Sequence, residues 1–239
     1  MITTVLFDLD GTLLPQDTSA FSEDYFKAIS AWMAPHGYES KALVGGIIKG
    51  IEAMSANDGR VTNEAAFWSA FCGLFGEKAR LDIPKFDEFY RSDKFGAMKK
   101  HCETLPIVAE TVRRIKSLGA KLVVATNPVF PMIAQLRRIE WAGLDANDFE
   151  LVTAYENSHY CKPNTAYYTE ILGKIGARPE ECMMIGNDAL EDMCAHEIGI
   201  DVFLATDCLI NRHNREISVY PHGGYSELNT YIDKKFGVR

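Results

Sequence analysis

Short apolar runs alternate with amphipathic stretches from Pro106 to the end of the chain. The amphipathic stretches, such as PIVAETVRRIKSLG, have the periodicity of helices, and the apolar runs have the length and composition of buried strands. The predicted strands are AKLVVAT, FELVTA, ECMMIG and IDVFLA. Strands separated by helices in this way pair in parallel, with each helix crossing over a face of the sheet. We therefore predict an α/β fold whose core is a Rossmann-like parallel sheet with crossover helices.

One more apolar run lies at the amino terminus, far from the others in sequence. The segment TTVLFDLD predicts a buried strand at about residues 3–9, which joins the same sheet. From Ser19 to about Lys100 the sequence has helical periodicity only. We therefore predict a core formed by residues 1–16 and 98–239, interrupted by an all-helical insert at residues 17–97.

Charge and cysteine content restrict the partners and the compartment. The chain has 25 Lys and Arg against 33 Asp and Glu, a formal net charge of −8, which repels nucleic acids and anionic lipid surfaces. No apolar stretch approaches the roughly 20 residues that cross a bilayer, and the amino terminus lacks the basic region of a signal peptide.

The six cysteines lack CxxC spacing, which predicts free thiols in a reducing compartment. We expect a cytoplasmic protein without nucleic-acid or membrane partners; its oligomeric state stays open.

Polar clusters follow several of the predicted strands. In open α/β sheets, ligands bind beyond the carboxyl ends of the strands, so these clusters are the candidate site. They are Asp8-Leu9-Asp10-Gly11-Thr12, Thr126-Asn127-Pro128, Lys162-Pro163, and Gly186-Asn187-Asp188 with Asp192 four residues on. Only Lys162 does not directly follow a strand, because it lies on a loop before a helix.

Each cluster also has a purely structural interpretation. Asn127 followed by a proline can cap a helix that starts there, and Asp188 can cap the helix that contains Asp192. Lys162 can be a solvated loop charge. Two carboxylates at the tip of an apolar strand are harder to explain without a partner charge. The ordered set at strand ends therefore favours one shared site.

The charges of these candidates require a bound cation. Four carboxylates against the single ammonium of Lys162 leave three negative charges if all are ionised. Two carboxylates about 4 Å apart repel by about 4 kcal/mol at an effective dielectric constant of about 20. Because the clusters offer oxygen ligands and no histidine or cysteine, Mg²⁺ is the best candidate, with a substrate phosphate as a further ligand. Thr126, Asn127 and Lys162 are then the candidates for binding that phosphate.

In this order, the clusters resemble the motifs of the haloacid dehalogenase-like hydrolase superfamily, whose members are mostly Mg²⁺-dependent phosphatases. FDLDGTLL is the most specific match, and ATN, CKP and IGNDALED complete a set that covers about two thirds of the chain. The resemblance implies that Asp8 is the nucleophile, which forms an aspartyl-phosphate, and that Asp10 is the general acid and base. It also implies that the helical insert is the family's cap, which closes over the site and selects the leaving group.

The resemblance implies roles for the remaining candidates. Thr126 hydrogen bonds the transferring phosphoryl group, and Lys162 stabilises its charge. Mg²⁺ takes Asp8, Asp188 and the backbone carbonyl of Asp10, and Asp192 supports these ligands. In many relatives the acid follows the glycine directly, but here Asn187 stands between Gly186 and Asp188. Asn187 is therefore the alternative metal ligand.

We expect a phosphatase that hydrolyses a small phosphorylated metabolite. A phosphomutase that uses the same nucleophile remains an alternative, as does a non-catalytic phospho-receiver or scaffold that gathers similar residues around Mg²⁺. The large helical insert argues against the receiver. Dehalogenation is disfavoured because Asp10 supplies an acid that this reaction does not need.

Overall fold

A parallel sheet forms the centre of the molecule. The computed structural model describes residues 1–238, and within them six strands pair in parallel in the order β3-β2-β1-β4-β5-β6. The strands are β1 Thr4–Phe7, β2 Lys121–Val124, β3 Leu151–Val152, β4 Cys182–Gly186, β5 Asp201–Ala205 and β6 His222–Gly223. The predicted α/β fold with a Rossmann-like parallel core is confirmed.

Strand β1 lies in the middle of the sheet, between β2 and β4. Its side chains are fully buried, because both faces of the sheet are covered. Phe7 is in register with Val124 on one side and Ile185 on the other, so the three strands end at the same edge. The strand is shorter than the predicted 3–9 because the chain turns sharply after Asp8, with Gly11 in the left-handed region at φ +80°.

Helices make up most of the rest of the described chain. The α-helices are α1 Thr18–Met33, α2 Ser40–Ser55, α3 Asn63–Phe75, α4 Ile83–Arg91, α5 Asp93–Gly96, α6 Pro106–Ser117, α7 Met132–Trp141, α8 Thr165–Ile175 and α9 Tyr225–Phe236. Short 3₁₀ helices cover Ala34–His36, Glu77–Asp82, Ala97–His101, Ala146–Asp148, Pro179–Glu181 and Met193–Ile198. Within residues 1–238, the stretch from Thr18 to His101 contains helices and turns but no strand. We call this stretch the helical segment; the predicted insert boundaries at 17 and 97 stay a prediction.

The structural interpretations of Asn127 and Asp188 as helix caps are wrong. Helix α7 begins at Met132 after Pro131, so Asn127 does not cap it. The reason is that Pro131 disfavours the helical conformation in the residue before it. After Asp188 there is only a 3₁₀ helix over Met193–Ile198, so Asp188 does not cap an α-helix that contains Asp192.

The helical segment shares an apolar core with the sheet. One continuous cluster of buried side chains contains Val5 and Phe7 of β1 together with Phe71, Phe89 and Phe95 of the helical segment. A second cluster covers the other face of the sheet with residues from α8 and β4. Because apolar burial is the main favourable term in folding, the first cluster holds the helical segment against the sheet.

Two sequence features can be compared with the described residues. All six cysteines are free thiols, as their spacing predicted. Among residues 1–238, no helix combines the length and the apolar character that a membrane crossing requires.

Candidate active site

One cavity lies at the carboxyl edge of β1, β2 and β4. It brings together every predicted site residue except Lys162, whose ammonium contacts two of the lining acids. The lining residues are Asp8, Asp10, Gln16, Thr18, Thr126, Asn127, Asn187, Asp188, Glu191, Asp192, Ile210 and Arg212. The four clusters therefore meet at the edge of the sheet where ligands bind in open α/β folds.

Asp8 is the first residue after β1 and is largely buried. Its Oδ1 accepts a hydrogen bond of 2.8 Å from Lys162 Nζ, and its amide donates to the Ile185 carbonyl. Burial raises the pKa of the Asp8 carboxyl, while the ammonium of Lys162 opposes that rise. The contact fixes Oδ1 and leaves Oδ2 without a side-chain partner among residues 1–238.

Lys162 is 4% exposed, so it is not a solvated loop charge. Its Nζ donates to Asp8 and also to Asp192 Oδ1, at 2.6 Å. Burial acts to lower the pKa of Lys162, but the charges of Asp192 and Asp8 outweigh it and raise that pKa well above its ordinary value. Burial also raises the pKa of Asp192 to about 6. One ammonium thus donates hydrogen bonds to two buried carboxylates.

The loop after β4 is held by its own side chains. The buried Asn187 accepts a hydrogen bond from Thr12 Oγ1 through Oδ1, at 3.1 Å, and donates through Nδ2 to the Cys208 carbonyl, at 2.7 Å. A Cβ at Gly11 would lie 2.3 Å from Asn187 Nδ2, so only glycine allows the loops after β1 and β4 to approach this closely. Both polar ends of Asn187 are therefore used within the protein.

Asp188 and Asp192 have different surroundings. Asp188 Oδ1 accepts from the amides of Leu190 and Glu191, at 2.8 and 2.9 Å, which closes a turn. Asp192 Oδ2 accepts from the Asp188 amide, at 2.9 Å. These local bonds compete with helix formation, which explains why no α-helix starts here. Asp188 lines the cavity and uses only Oδ1 in this turn.

Thr126 and Asn127 follow β2. The Thr126 carbonyl accepts hydrogen bonds from Thr153 Oγ1 and Tyr167 Oη, both at 2.8 Å, which fix the strand end. Asn127 Nδ2 donates to Glu191 Oε2, at 3.1 Å. Asn127 Oδ1 is buried and has no hydrogen-bond partner among residues 1–238. The structure thus places both residues in the cavity and adds Glu191, which the sequence analysis did not single out.

Arg138 is a second residue that the sequence analysis missed. It is 1% exposed, and its Nη2 contacts Asp10 Oδ1. Burial lowers the pKa of the guanidinium to about 10. Because this pKa is still well above 7, the group is protonated near neutral pH. A signal was present in the sequence, because helical spacing puts Arg138 on the same face of α7 as the buried Ala134 and Trp141.

Glu191 and Arg138 change the charge balance of the site, and so does Arg212, which lines the cavity. Five carboxylates now face three cations, Lys162, Arg138 and Arg212. If all are ionised, the formal charge is two negative, against the three negative charges predicted from the sequence. The cavity therefore remains a place where a cation is required.

Helix α3 attaches the helical segment to the loops of the site. Asn63 is fully buried, and its Nδ2 lies 3.4 Å from the Pro128 carbonyl and 3.3 Å from the Tyr160 carbonyl. Its amide donates to the Ser158 carbonyl, at 2.8 Å. Pro128 follows Asn127, and Tyr160 is two residues before Lys162. Asn63 thus joins the helical segment to two loops that carry candidate site residues.

We expect Asn63→Ala to lower the free energy of unfolding by about 1–3 kcal/mol, because it leaves buried carbonyls without their donor. Urea unfolding followed by circular dichroism measures this loss. The exposed Asn147 offers a matched control, and Asn147→Ala should change stability by less than about 0.5 kcal/mol. Equal stabilities of the two variants would contradict the role given to Asn63.

Comparison with known proteins adds independent information. A sequence model described as haloacid dehalogenase-like hydrolase matches residues 2–195. A glyceraldehyde 3-phosphate phosphatase from Methanothermobacter thermautotrophicus is 29% identical over 198 residues, which are 81% of this chain and 80% of that protein. A phosphoglycolate phosphatase from Caulobacter vibrioides is 26% identical over 201 residues, 82% of this chain and 76% of the relative.

Solved structures of the same shape were also found. A 2-haloacid dehalogenase from Pseudomonas syringae pv. tomato has a TM-score of 0.64 at 18% identity, covering 99% of this chain and 100% of its own. A structure described as an HAD phosphatase, from Thermococcus onnurineus, has a TM-score of 0.62 at 18% identity. The match covers 97% of this chain and 98% of the other. At this identity the likeness concerns the fold alone.

Proposed function

This chain belongs to the haloacid dehalogenase-like hydrolase family and is a phosphatase, and we propose that it hydrolyses a phosphate monoester with Mg²⁺ through an aspartyl-phosphate on Asp8. The observation that carries the proposal is the position of Asp8. Its carboxylate lies at the centre of the carboxyl edge of the sheet, is held by Lys162, and shares one cavity with Asp10 and Asp188.

Asp8 is the proposed nucleophile. A carboxylate needs no base to remove a proton before it attacks phosphorus. The hydrogen bond from Lys162 fixes Oδ1, so Oδ2 is the oxygen available for attack. The same ammonium favours the ionised form against the effect of burial.

Asp10 is the proposed general acid and base. It lines the cavity two residues after Asp8, and its side chain is 34% exposed. It would give a proton to the leaving oxygen as the ester bond breaks, and then take a proton from the water that cleaves the aspartyl-phosphate. Help of this kind is worth about 10²–10⁴-fold in rate.

Thr126, Asn127 and Lys162 are the proposed phosphate-binding residues. Thr126 and Asn127 follow β2 and line the cavity. The ammonium of Lys162 donates a hydrogen bond to Asp8 Oδ1. Their hydroxyl, amide and ammonium groups can donate hydrogen bonds to phosphoryl oxygens, where charge must be stabilised during transfer. The buried Asp192 would hold the ammonium of Lys162 from its other side.

The donors present suit Mg²⁺. Asp8, Asp188 and the backbone carbonyl of Asp10 are all oxygen donors, and Mg²⁺ prefers oxygen. Among residues 1–238, no group of three or more acidic, histidine or cysteine side chains is arranged so that it could hold a metal ion. Mg²⁺ does not need such a group, because it usually binds one or two carboxylates and keeps several waters. When bound, it would offset the negative charge of the acids and of the phosphate.

Asp188 is a better ligand candidate than its neighbour Asn187. Asn187 uses its Oδ1 to accept from Thr12 and its Nδ2 to donate to the Cys208 carbonyl. Asp188 uses only Oδ1 in its turn and carries the charge that a cation requires. We therefore propose Asp188 as the metal ligand and give Asn187 the task of joining the loops.

The proposed substrate is a small phosphorylated metabolite. The relatives are named for phosphatase activity on glyceraldehyde 3-phosphate and phosphoglycolate. These names favour transfer of the phosphoryl group to water over transfer to a second hydroxyl. We also propose that residues 17–97 form a cap, because helices of this stretch pack on the loops around the cavity.

We expect turnover of an aryl phosphate to require Mg²⁺ and to stop when the metal is chelated. Asp188→Asn should raise the Mg²⁺ concentration for half-maximal activity by roughly tenfold or more, because a charged ligand is lost. The control is Asp145→Asn, the same change at an exposed turn. Full activity without metal would contradict the Mg²⁺ dependence. A raised requirement in Asn187→Ala but not in Asp188→Asn would instead identify Asn187 as the ligand.

A further inference from the structure

We propose that Arg138 is a positioning residue for Asp10, an inference that rests on the proposed function. Arg138 Nη2 contacts Asp10 Oδ1, so this oxygen is held by the protein. Asp10 lines the cavity, and its other carboxylate oxygen, Oδ2, has no side-chain hydrogen-bond partner among residues 1–238. Arg138 would thereby select which oxygen of Asp10 carries the proton and where that proton points.

The orientation of the guanidinium is itself fixed. Nη1 donates to Gln135 Oε1, one turn earlier on α7, at 3.1 Å. The Cζ atom lies 4.9 Å from the centre of the Phe130 ring and 5.7 Å from that of Phe21, within the range of cation–π attraction. Phe21 belongs to α1 and Phe130 to the loop after Thr126. Arg138 therefore holds Asp10 from a rigid place between the helical segment and the sheet.

The unmet hydrogen bonds of this group point to the same role. Arg138 Nε and Gln135 Nε2 are buried and have no hydrogen-bond partner among residues 1–238. A buried cation with unmet donors is costly unless an anion compensates it. Two acids lie near Arg138. The charge of Asp8 acts to raise the pKa of Arg138, and Asp10 makes the direct contact. The local packing does not explain a charge here, whereas the contact with Asp10 does.

The proton transfer that Arg138 would serve can be written out. Asp8 Oδ2 forms a bond to phosphorus, and the bond between phosphorus and the ester oxygen breaks. The electron pair of that bond stays on the ester oxygen, which takes the proton from Asp10 Oδ2. A leaving group that is stable as an anion needs this proton less. The effect of Arg138 should therefore depend on the leaving group, which a merely structural role would not produce.

The test is a double-mutant cycle between Asp10→Asn and Arg138→Met, measured with phenyl phosphate and with dinitrophenyl phosphate. With phenyl phosphate, which has a poor leaving group, Arg138→Met should lower kcat by roughly 10²-fold. With dinitrophenyl phosphate, formation of the phosphoenzyme in a single turnover should fall by less than about threefold. In the Asp10→Asn background, Arg138→Met should cost less than about threefold more with either ester, because the group that it positions is gone.

The controls separate positioning from folding. Arg137→Met removes the neighbouring guanidinium of α7, which donates to the Tyr90 and Ser92 carbonyls and does not contact Asp10; its effect should be the same for both esters. Arg138→Lys keeps the charge but loses the planar group that contacts Asp10 through one nitrogen and Gln135 through another. It should show an intermediate loss with the same dependence on leaving group, and it carries the test if Arg138→Met does not fold.

Two results would overturn the inference. Losses that multiply in the double variant would show that Arg138 acts independently of Asp10, and equal losses for both esters would show a structural role. A fully active Asp10→Asn variant has a different meaning, because it contradicts the acid and base role in the proposed function itself. The cycle thus distinguishes a failure of the inference from a failure of the proposal on which it rests.

Discussion

Asp8→Asn is expected to lower turnover of any phosphate ester by about 10⁴-fold or more, the scale of loss when a nucleophile is removed. The amide is a poor nucleophile and cannot form an aspartyl-phosphate. Lys162 would keep its contact with Asp192, and the amide oxygen of the substituted side chain could still accept the hydrogen bond from Lys162, so the fold should persist. Steady-state kinetics with an aryl phosphate and saturating Mg²⁺ measure the loss.

Asp145→Asn is again the matched control for this change. Asp145 is exposed and accepts a hydrogen bond from the Asn147 amide in a turn outside the cavity. The control should retain the wild-type kcat, and both variants should give the wild-type circular dichroism spectrum. Wild-type turnover by a folded Asp8→Asn variant would exclude Asp8 as the nucleophile.

Lys162→Met is expected to have the second largest effect, on stability as well as activity. The substitution keeps the apolar stem but removes the only ammonium that contacts Asp8 and Asp192 among residues 1–238. Breaking a buried ion pair by removing one partner typically costs about 3–5 kcal/mol, because the other charge stays buried and unpaired. Denaturant unfolding measures this loss, and kcat should fall with it because phosphoryl charge is no longer stabilised.

Lys174→Met provides the comparison for Lys162→Met. Lys174 pairs with Glu170 on α8 in a partly exposed i,i+4 contact, which should be worth no more than about 1 kcal/mol. Its removal should leave kcat at the wild-type value. If the two lysine variants had equal stabilities, the buried charges at Asp8 and Asp192 would not depend on Lys162, contrary to the role proposed for its ammonium.

The carboxyl edge of the sheet could be predicted from the sequence because it follows from local patterns. Apolar runs predict where strands end, and parallel strands bring their ends to one edge. Asp8, Thr126 and Asp188 could therefore be placed together from the sequence alone, and they line one cavity.

Contacts between distant residues could not be predicted in the same way. Asn127 and Glu191 are 64 residues apart, and Arg138 and Asp10 are 128 residues apart. No local pattern relates such residues, because their contact depends on how helices and loops pack. Helical spacing alone places Arg138 on the buried face of α7, but it does not relate Arg138 to Asp10.

The interpretations of Asn127 and Asp188 as helix caps were wrong for local reasons that helix propensity alone does not reveal. Asn127 is a residue type that often caps helices, but α7 begins only at Met132, after Pro131. Asp188 and Asp192 have the four-residue spacing of a helix face, yet their carboxylates accept from backbone amides of a turn. Their position in the site comes from these hydrogen bonds and not from a shared helix.

The most direct measurement is to locate the phosphoryl group on the protein. The Asp10→Asn variant, which should form the phosphoenzyme faster than it hydrolyses it, is mixed with dinitrophenyl phosphate and Mg²⁺, quenched in acid and mapped by peptide mass spectrometry. We predict one phosphoryl group on the peptide that contains Asp8, absent when Asp8 is also replaced by Asn. A phosphoryl group on another residue, or one that persists without Asp8, would contradict the aspartyl-phosphate mechanism.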